Sequence, residues 1–299
     1  MTSSPLAVII LTYNEEANLP ACLESLRGLD CHVVVVDSGS TDRTVEIARA
    51  AGAEVVHHPF ETHATQWAWA LSHLPWRAEW VLGLDADQRL SPELRQELAR
   101  LFSSERQRLR QADGFYLTRR QVFCGRWIRH GGYYPKRLLK LFRPERVRLD
   151  ERDLVDHHFV VDGPVGRLRG DLIEENRKED DLVFWLQKHA HYAALHAREE
   201  LARRDSRAAW PLQPSLFGSP DQRTMWLKQR WYGLPLYLRP FLYFLYRYIL
   251  RLGFLDGTEG LIFHFLQGCW YRFLVDVYLD QLRRQAAPVA APERATPHA

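Results

Sequence analysis

The sequence predicts an α/β fold built around a doubly wound, mostly parallel β-sheet. Three short apolar runs, at 6–11 (LAVIIL), 33–36 (VVVV) and 80–84 (WVLGL), are typical of buried parallel strands. Segments with helical spacing alternate with these runs, which implies right-handed strand–helix–strand crossovers. Each run ends in a polar cluster, and ligands of such sheets bind beyond the carboxyl ends of the strands.

Local signals predict the helices between these strands. Leucines at helical spacing indicate a helix within 15–27, and a second covers about 41–51, with Gly52 at the position of a C-cap glycine. A third strand is predicted at 54–57. Ser91-Pro92-Glu93 opens a further helix, because it supplies a serine cap, a proline in the first turn and an acid at the positive helix end.

The pattern changes in the second half of the chain. Residues 114–168 alternate between strand-like runs and turns, which predicts antiparallel strands, and helical spacing returns at 180–204. We therefore divide the chain into two halves of a main domain, a proline-containing linker, two aromatic-rich amphipathic helical stretches and an Ala/Pro-rich disordered tail. Their ranges are 1–113, 114–209, 210–225, 226–284 and 285–299.

Composition excludes several classes of protein. The 299 residues carry a net charge of +3, which argues against a dedicated nucleic-acid binder. With 46% apolar and 26% charged residues, the chain is not disordered as a whole. The 4 cysteines are too few and scattered for a disulfide framework and are expected to be free thiols. Charges interrupt every long apolar stretch, and the first apolar run is too short for a signal peptide.

Aromatic residues are concentrated near the end of the chain. Of 36 in total, 16 lie between Trp226 and Arg283. Trp and Tyr favour the headgroup level of a bilayer, and arginine can reach its phosphates. We expect an interfacial helical pair on a membrane surface rather than a spanning helix. The alternative is that these helices cover the main domain or form a dimer interface.

Asp85 and Asp87 follow the strand at 80–84 and are one residue apart. Alternate residues of a strand share a face, so the two carboxylates can hold a hard divalent cation together with phosphate oxygens. The alternative is a polar loop that caps the next helix. Asp37 and Ser38 follow the VVVV strand, where a carboxylate can accept hydrogen bonds from a base or ribose; capping the helix near Thr41 is the alternative for this loop.

Other ligand motifs are absent from the sequence or weak. There is neither a GxGxxG nor a GxxxxGK[ST] pattern, which disfavours a dinucleotide fold and a P-loop. His189, His191 and His196 do not share one helix face, so we expect no zinc site there. Six basic residues lie in the predicted hairpins: Arg119, Arg120, Arg126, Arg129, Lys136 and Arg137. Exposure to solvent at the hairpin edges explains most of them, and one or two could contact phosphate.

A family resemblance emerges from the combined motifs. VIILTYNEE (8–16), VVVVDSGSTDRT (33–44) and LDADQRLSPEL (84–94) resemble the nucleotide-sugar half of family 2 glycosyltransferases with the GT-A fold. The later segments are similar to the lipopolysaccharide-core and lipooligosaccharide β-1,4-glucosyltransferase branch: RLLKLFR (137–143), VDHHFVVDGPVGRLRGDL (155–172), FWLQKHAHYA (184–193) and GFLDGTEGL (253–261). The resemblance extends over about 6–284.

The resemblance implies a role for each motif. Residues 1–113 would bind the nucleotide-sugar and 114–209 the acceptor. In the donor half, Thr12, Asn14 and Glu15 would line the nucleotide pocket, and Asp37 with Ser38 would lie near the base. Asp85 would lie by the ribose and diphosphate, and Asp87 would coordinate Mg²⁺ or Mn²⁺. The implied reaction is inverting transfer of a hexose, glucose from UDP-glucose, to a lipid-linked or lipopolysaccharide-core acceptor at the cytoplasmic membrane face.

Inversion requires one general base on the acceptor hydroxyl. We favour Asp156, with Glu151, Asp153 and His157 as alternatives. The chain departs from the family pattern at three places: at His157, where a Glu is expected; at Gln66–Trp69 (QWAW), where a basic residue and an Asn are common; and at Glu174-Glu175, where a His often occurs. Two rival functions are a nucleotidyltransferase and a catalytically inactive membrane adaptor with the same fold.

Overall fold

The computed structural model describes residues 5–73, 78–149, 159–205 and 212–286. Four parallel strands form the first half of the main sheet in the order β3–β2–β1–β4. They are β1 (Leu6–Thr12), β2 (His32–Asp37), β3 (Glu54–His57) and β4 (Trp80–Asp85). The helices of this half are α1 (Leu19–Ser25), α2 (Thr44–Ala50), α3 (His63–Ser72), α4 (Pro92–Ser103) and α5 (Arg106–Arg110). The predicted strands are confirmed.

Side-chain alternation along β1 places helices on both faces of this sheet. Leu6, Val8 and Ile10 belong to the core cluster shared with α1, α2 and α4. Ala7 and Ile9 belong to the opposite cluster, which contains Trp67 of α3. The sheet is therefore doubly wound, as predicted, and its carboxyl edge is left free for a ligand.

The second half of the sheet continues from β4 in the order β8–β6–β11–β5, with β7 paired to β6. These strands are β5 (Gln88–Leu90), β6 (Gly114–Phe123), β7 (Arg126–Ile128), β8 (Lys136–Phe142) and β11 (Val165–Glu175). A separate two-stranded sheet joins β9 (Val147–Leu149) to β10 (Phe159–Val161).

The predicted antiparallel strands of this half are confirmed, but one pair among them is parallel. β8 is antiparallel to β4 and β6, and β5 is antiparallel to β11, but β11 runs parallel to β6. The chain that leaves β8 passes through the small β9–β10 sheet before β11 begins at Val165, opposite Gly114. This long crossover returns the chain to the end of the sheet where β6 starts, so the acceptor-side region is mixed rather than wholly antiparallel.

The remainder of the described chain is helical. Its elements are α6 (Leu182–Asp205), α7 (Pro220–Tyr232), α8 (Arg239–Leu245), a π-helical segment (Tyr246–Leu250), a 3₁₀ turn (Gly253–Asp256), α9 (Gly257–Phe263), a second π-helical segment (His264–Trp270) and α10 (Tyr271–Ala286). Helix α7 begins within the predicted linker 210–225, because Ser219 and Gln222 form a capping box and Pro220 occupies the first turn. Residues 287–299, most of the predicted tail, lie outside the described residues.

The C-terminal helices pack against the acceptor-side half. Ala193 and Ala197 of α6 contact Val275 and Leu279 of α10 in one apolar cluster. The loop after β7 is also joined to them, because His130 bonds to Asp256 through its backbone N–H (2.8 Å) and its ring (2.6 Å). Within the described residues, none of the helices combines the length and apolar character that crossing a bilayer would require.

Candidate active site

The carboxyl ends of β1, β2 and β4 lie side by side and bring the predicted donor-site residues together. Thr12 is in register with Asp37, and Leu11 is in register with Asp85. The backbone N–H of Ser38 donates to the Thr12 carbonyl at 3.0 Å, so the loop that follows β2 turns across the end of β1. Parallel pairing thus creates a single polar edge from residues that are up to 73 positions apart in sequence. We call this edge, formed by the ends of β1, β2 and β4, the donor edge.

Asp37 organises the loop that follows β2. Its Oδ2 accepts from the backbone N–H groups of Gly39 (3.0 Å) and Ser40 (2.9 Å), and its Oδ1 accepts from the hydroxyls of Thr12 (3.1 Å) and Ser40 (2.5 Å). Burial alone would raise the pKa of Asp37, but these hydrogen bonds outweigh it and hold the pKa below the usual value. Asp37 and Thr12 are only 2% and 3% exposed, so they shape the loop, and any direct contact with a base stays a prediction.

Asn14 joins the loop after β1 to the loop after β2 by hydrogen bonds. Its backbone lies in the left-handed region at φ 53°, which Asn tolerates better than most residues. Its N–H donates to the Ser40 hydroxyl at 2.8 Å, and its side-chain oxygen accepts from the Thr41 N–H at 2.8 Å. These bonds hold the two loops at a fixed separation beyond the strand ends.

Glu15 is held by the turn that follows β11. Lys178 Nζ lies 2.5 Å from Glu15 Oε1 and donates to the Asn14 carbonyl at 3.0 Å. Asn18, which is buried, donates to Glu15 and to Asn176, and it accepts from the Arg177 N–H. The end of β11 thereby closes one side of the donor edge.

Asp85 is neutralised by a lysine from the neighbouring strand. Lys140 of β8 is 4% exposed, and its Nζ lies 3.0 Å from Asp85 Oδ2. A buried ammonium group requires such a partner, because an unpaired charge out of water is strongly unfavourable. The carboxylate of Asp85 is therefore oriented before any ligand arrives.

Asp87 lies in the turn between β4 and β5 and has a different environment. Burial, followed by the negative charges of Glu174, Asp85 and Glu15, raises its pKa well above the usual value, and Lys188 offsets this only in part. Glu174 in turn accepts from Gln88 and Arg119, both at 2.8 Å. Each of these three carboxylates has a cationic partner, Arg119 for Glu174, Lys140 for Asp85 and Lys178 for Glu15, whereas Asp87 forms no ion pair within the described residues.

The carboxylate of Asp87, with Asp85 nearby, fits a divalent cation that is shared with a ligand. Over the described part of the chain, no group of three or more His, Cys, Asp or Glu side chains converges to hold a metal by itself. Mg²⁺ typically takes one or two carboxylates and completes its shell with water and substrate phosphates. Asp87 and Asp85 match that donor set, with the remaining positions left for phosphate oxygens.

The QWAW segment supports the donor edge through Gln66. Gln66 is fully buried, donates to the Ser38 hydroxyl at 3.0 Å and bonds to the His58 ring at 2.6 Å. Trp67 fills the space above Gly83 of β4, where an added Cβ would lie 2.9 Å from its ring. The segment that departs from the family pattern is thus built into the loop and the core, and phosphate contact from it has no observation in its favour.

Sequence reasoning missed Lys140, Lys178 and Gln66. The signal for Lys140 is a lone charge inside the apolar strand RLLKLF, which indicates a buried partner. Lys178 carries no comparable local signal, since its partner is 163 residues away. Asp156 and the alternative bases Glu151, Asp153 and His157 lie outside the described residues.

Comparisons with known proteins find similar sequences over much of the chain. The sequence model of glycosyl transferase family 2 matches residues 7–168, which covers β1–β10 and the start of β11. A lipopolysaccharide core biosynthesis glycosyltransferase, LpsC of Rhizobium meliloti, is 32% identical over 170 residues, 55% of this chain and 60% of LpsC. An uncharacterized glycosyltransferase of Rickettsia typhi is 38% identical over 102 residues, 34% of each chain.

The chain matches these relatives over part of their length. The matched region spans about a third of the Rickettsia protein and less than two thirds of LpsC. Among solved structures, the mannosyltransferase PcManGT of Pyrobaculum calidifontis, in complex with GDP-Man and Mn²⁺, is 16% identical, with a TM-score of 0.48, over 93% of this chain and 88% of that one.

Proposed function

The chain belongs to glycosyl transferase family 2, and from that premise we propose that it is an inverting, metal-dependent hexosyltransferase. The donor is UDP-glucose, and the acceptor is a lipid-linked or lipopolysaccharide-core glycan at the cytoplasmic face of the membrane. The observation that carries the proposal is the carboxylate of Asp87, which has no ion pair within the described residues and lies at the same sheet edge as Asp85 and the Asp37 loop. The relative named for lipopolysaccharide core biosynthesis supports the class of acceptor.

The residues of the donor edge have separate tasks in this proposal. The loop held by Asp37 and Asn14 forms a rigid rim for the base and ribose of the nucleotide. Asp85, oriented by Lys140, lies between that rim and Asp87. A rim that is ordered before binding loses little conformational entropy when the donor arrives.

The cation would be Mg²⁺ or Mn²⁺, held by Asp87 with Asp85 and the diphosphate of the donor. Its chemistry is to stabilise the negative charge that develops on the departing nucleoside diphosphate. The nearby Glu174 is held by Gln88 and Arg119, so its charge adds to the field at this point without being free to move. Asp156 remains our proposed general base for the acceptor hydroxyl.

Two alternatives make different predictions. A nucleotidyltransferase would carry a Gly-rich, basic loop after the first strand, where this chain has TYNEEANLP. An inactive membrane adaptor would bind membranes but show no metal-dependent affinity for a nucleotide. The carboxylate of Asp87, which burial and nearby carboxylates disfavour in its ionised form, favours the enzyme, because a protein without a cation to bind gains nothing from this unfavourable charge.

A donor screen tests the proposed activity directly. We expect the full-length protein to release UDP from UDP-glucose faster than from other nucleotide-sugars when membrane lipid extract and Mn²⁺ are present. Excess EDTA should abolish release. Calorimetric titration with UDP should show higher affinity with Mn²⁺ than without it. Full activity in EDTA would disprove the role of the cation, and an absence of UDP binding would disprove the function.

Membrane association is proposed from exposed apolar side chains in the C-terminal helices. Leu250, at 73% exposure, is among the most exposed of them. Large apolar patches of this kind on a surface mark an interaction site. The others between 234 and 265 are Leu234, Tyr237, Leu238, Phe241, Leu242, Leu245, Tyr246, Ile249, Leu252, Phe254, Leu255, Leu261, Ile262 and Phe265.

Two glutamates in this patch should prevent binding to membranes. We expect Leu245→Glu with Ile249→Glu to reduce co-sedimentation with lipid vesicles by about tenfold or more, since burial of each apolar side chain contributes about 1.5–3 kcal/mol. The matched control is Leu182→Glu with Val183→Glu, which alters two equally exposed residues at the start of α6. Equal binding by both double variants, or recovery of the unaltered protein in the soluble fraction without detergent, would refute membrane association.

A further inference from the structure

Two arginines of the C-terminal helices lie against the same tyrosine without an acidic partner. The guanidinium carbons of Arg247 and Arg272 are 4.8 and 5.9 Å from the centroid of the Tyr243 ring. Neither arginine forms an ion pair with any described residue, although both are half-buried. The positive charges of Arg247 and Arg272 repel each other, and burial intensifies the repulsion.

The hydrogen-bonding capacity of both arginines is largely unused. Arg247 donates to the Gly131 carbonyl at 2.7 Å and to the Tyr243 hydroxyl at 2.5 Å, but its buried Nε has no partner. Arg272 makes only ring contacts in the described part of the chain, at 5.4 Å from Tyr271 and 5.9 Å from Trp231. Ring faces stabilise the charge, but they do not satisfy the N–H donors that lie in the guanidinium plane.

Within the described chain, no carboxylate pairs with either arginine. Tyr133 lies against Arg247, whose guanidinium carbon is 4.6 Å from the Tyr133 ring centroid, but burial raises the pKa of Tyr133 to about 12, so its hydroxyl stays neutral. Two guanidinium groups with unused donors therefore lie against Tyr243 without an anion among the described residues.

The two arginines lie where the exposed apolar side chains of the C-terminal helices meet the acceptor-side half of the main domain. Arg247 bonds to the Gly131 carbonyl in the loop that follows β7. Arg247 belongs to the π-helical segment Tyr246–Leu250, whose Tyr246, Ile249 and Leu250 are exposed. Arg272 is the second residue of α10, which follows the second π-helical segment. Such segments occur frequently at functional sites, where they re-aim side chains.

We propose that Arg247 and Arg272 form a binding site for a phosphoryl group carried by the lipid-linked acceptor. A phosphoryl group presents several strong acceptors and a charge that would neutralise the converging cations, and arginine binds it with paired N–H donors. The site would hold the anionic part of the acceptor between the membrane surface and the donor edge. The inference rests on the proposed function for the identity of the acceptor, but the anion site can be tested without it.

Inorganic pyrophosphate in EDTA is the probe for the site itself. We expect Arg247→Gln and Arg272→Gln each to lower its affinity for the full-length protein about tenfold or more, because each removes a charge-assisted contact. Arg251→Gln is the control, since Arg251 is exposed on the same helical region and bonds only to the Tyr246 hydroxyl through its side chain. Circular dichroism and a separate UDP titration check that each variant is folded.

The outcomes separate the sources of the phosphoryl group. If the acceptor carries it, both variants raise the apparent KM for lipid extract, while binding to phosphatidylglycerol vesicles is unchanged. If vesicle binding falls in parallel with pyrophosphate affinity, the ligand is a bilayer headgroup and the assignment to the acceptor is overturned. Unchanged pyrophosphate affinity in both variants, or an equal loss in Arg251→Gln, overturns the site. Loss of UDP binding by the unaltered protein would instead overturn the proposed function.

Discussion

Replacing Asp87 by asparagine is expected to lower sugar transfer about 10³-fold or more, since charge stabilisation by a bound cation amounts to several kcal/mol. Asparagine has a similar volume but carries no charge, so the field at the diphosphate weakens while the turn between β4 and β5 retains its shape. UDP affinity should lose its dependence on Mn²⁺. Initial rates of UDP release and calorimetric titration measure the two effects.

The same substitution should stabilise the protein in EDTA. Burial and the nearby carboxylates raise the pKa of Asp87 in the folded state, so its ionised form opposes folding. This destabilisation is absent below the ordinary carboxyl pKa and grows as the pH rises through the raised pKa. Asp87→Asn should therefore raise the melting temperature more at pH 8 than at pH 5, which also separates lost activity from lost folding.

The control for Asp87→Asn is Asp162→Asn, because Asp162 is an exposed acid paired only with the exposed Arg148. It should alter neither transfer nor melting temperature appreciably. An Asp87→Asn variant with unimpaired transfer would remove the basis for a cation at this edge. A similar loss in Asp162→Asn would show that the assay responds to general surface charge.

The largest expected effect on stability comes from Arg239, a fully buried cation in the C-terminal helices. Its guanidinium lies 2.5 Å from Asp276 and 2.9 Å from Glu200, which are 0% and 3% exposed. Arg239→Met would leave Asp276 without a cationic partner and Glu200 with Arg204 alone, and breaking a buried ion pair in this way costs about 3–5 kcal/mol. Because this triad joins α6, α8 and α10, we expect the C-terminal helices to lose their packing first.

Urea unfolding, followed by circular dichroism and tryptophan fluorescence, measures this loss. Arg284→Gln is the control, since Arg284 is 79% exposed in its side chain and pairs with Asp280 one helical turn away; its loss should cost about 0.5 kcal/mol or less. Adding Asp276→Asn to Arg239→Met should recover part of the stability, because it removes the negative charge that Arg239 no longer neutralises. Equal midpoints for the Arg239 and Arg284 variants would contradict the buried triad.

The parallel half of the sheet was predictable because its signals are local. The runs at 6–11, 33–36 and 80–84 are apolar on both faces, the first two are rich in β-branched residues, and each is followed by a polar cluster at its end. Parallel pairing then necessarily brings Thr12, Asp37 and Asp85 to one edge. The helix beginning at Pro220 was predicted too late, since proline signals both a linker and a first helical turn.

The tertiary structure alone decided how the charges at the site are paired. Lys140 with Asp85, Lys178 with Glu15 and Arg119 with Glu174 join residues separated by 55, 163 and 55 positions. No periodicity encodes such pairs, because they depend on the antiparallel pairing of β8 with β4, on the parallel alignment of β11 with β6 and on the turn that follows β11. For the same reason, the sequence showed an aromatic segment that contains arginines, whereas only the fold showed that Arg247 and Arg272 lie against one tyrosine where no carboxylate of the described chain neutralises them.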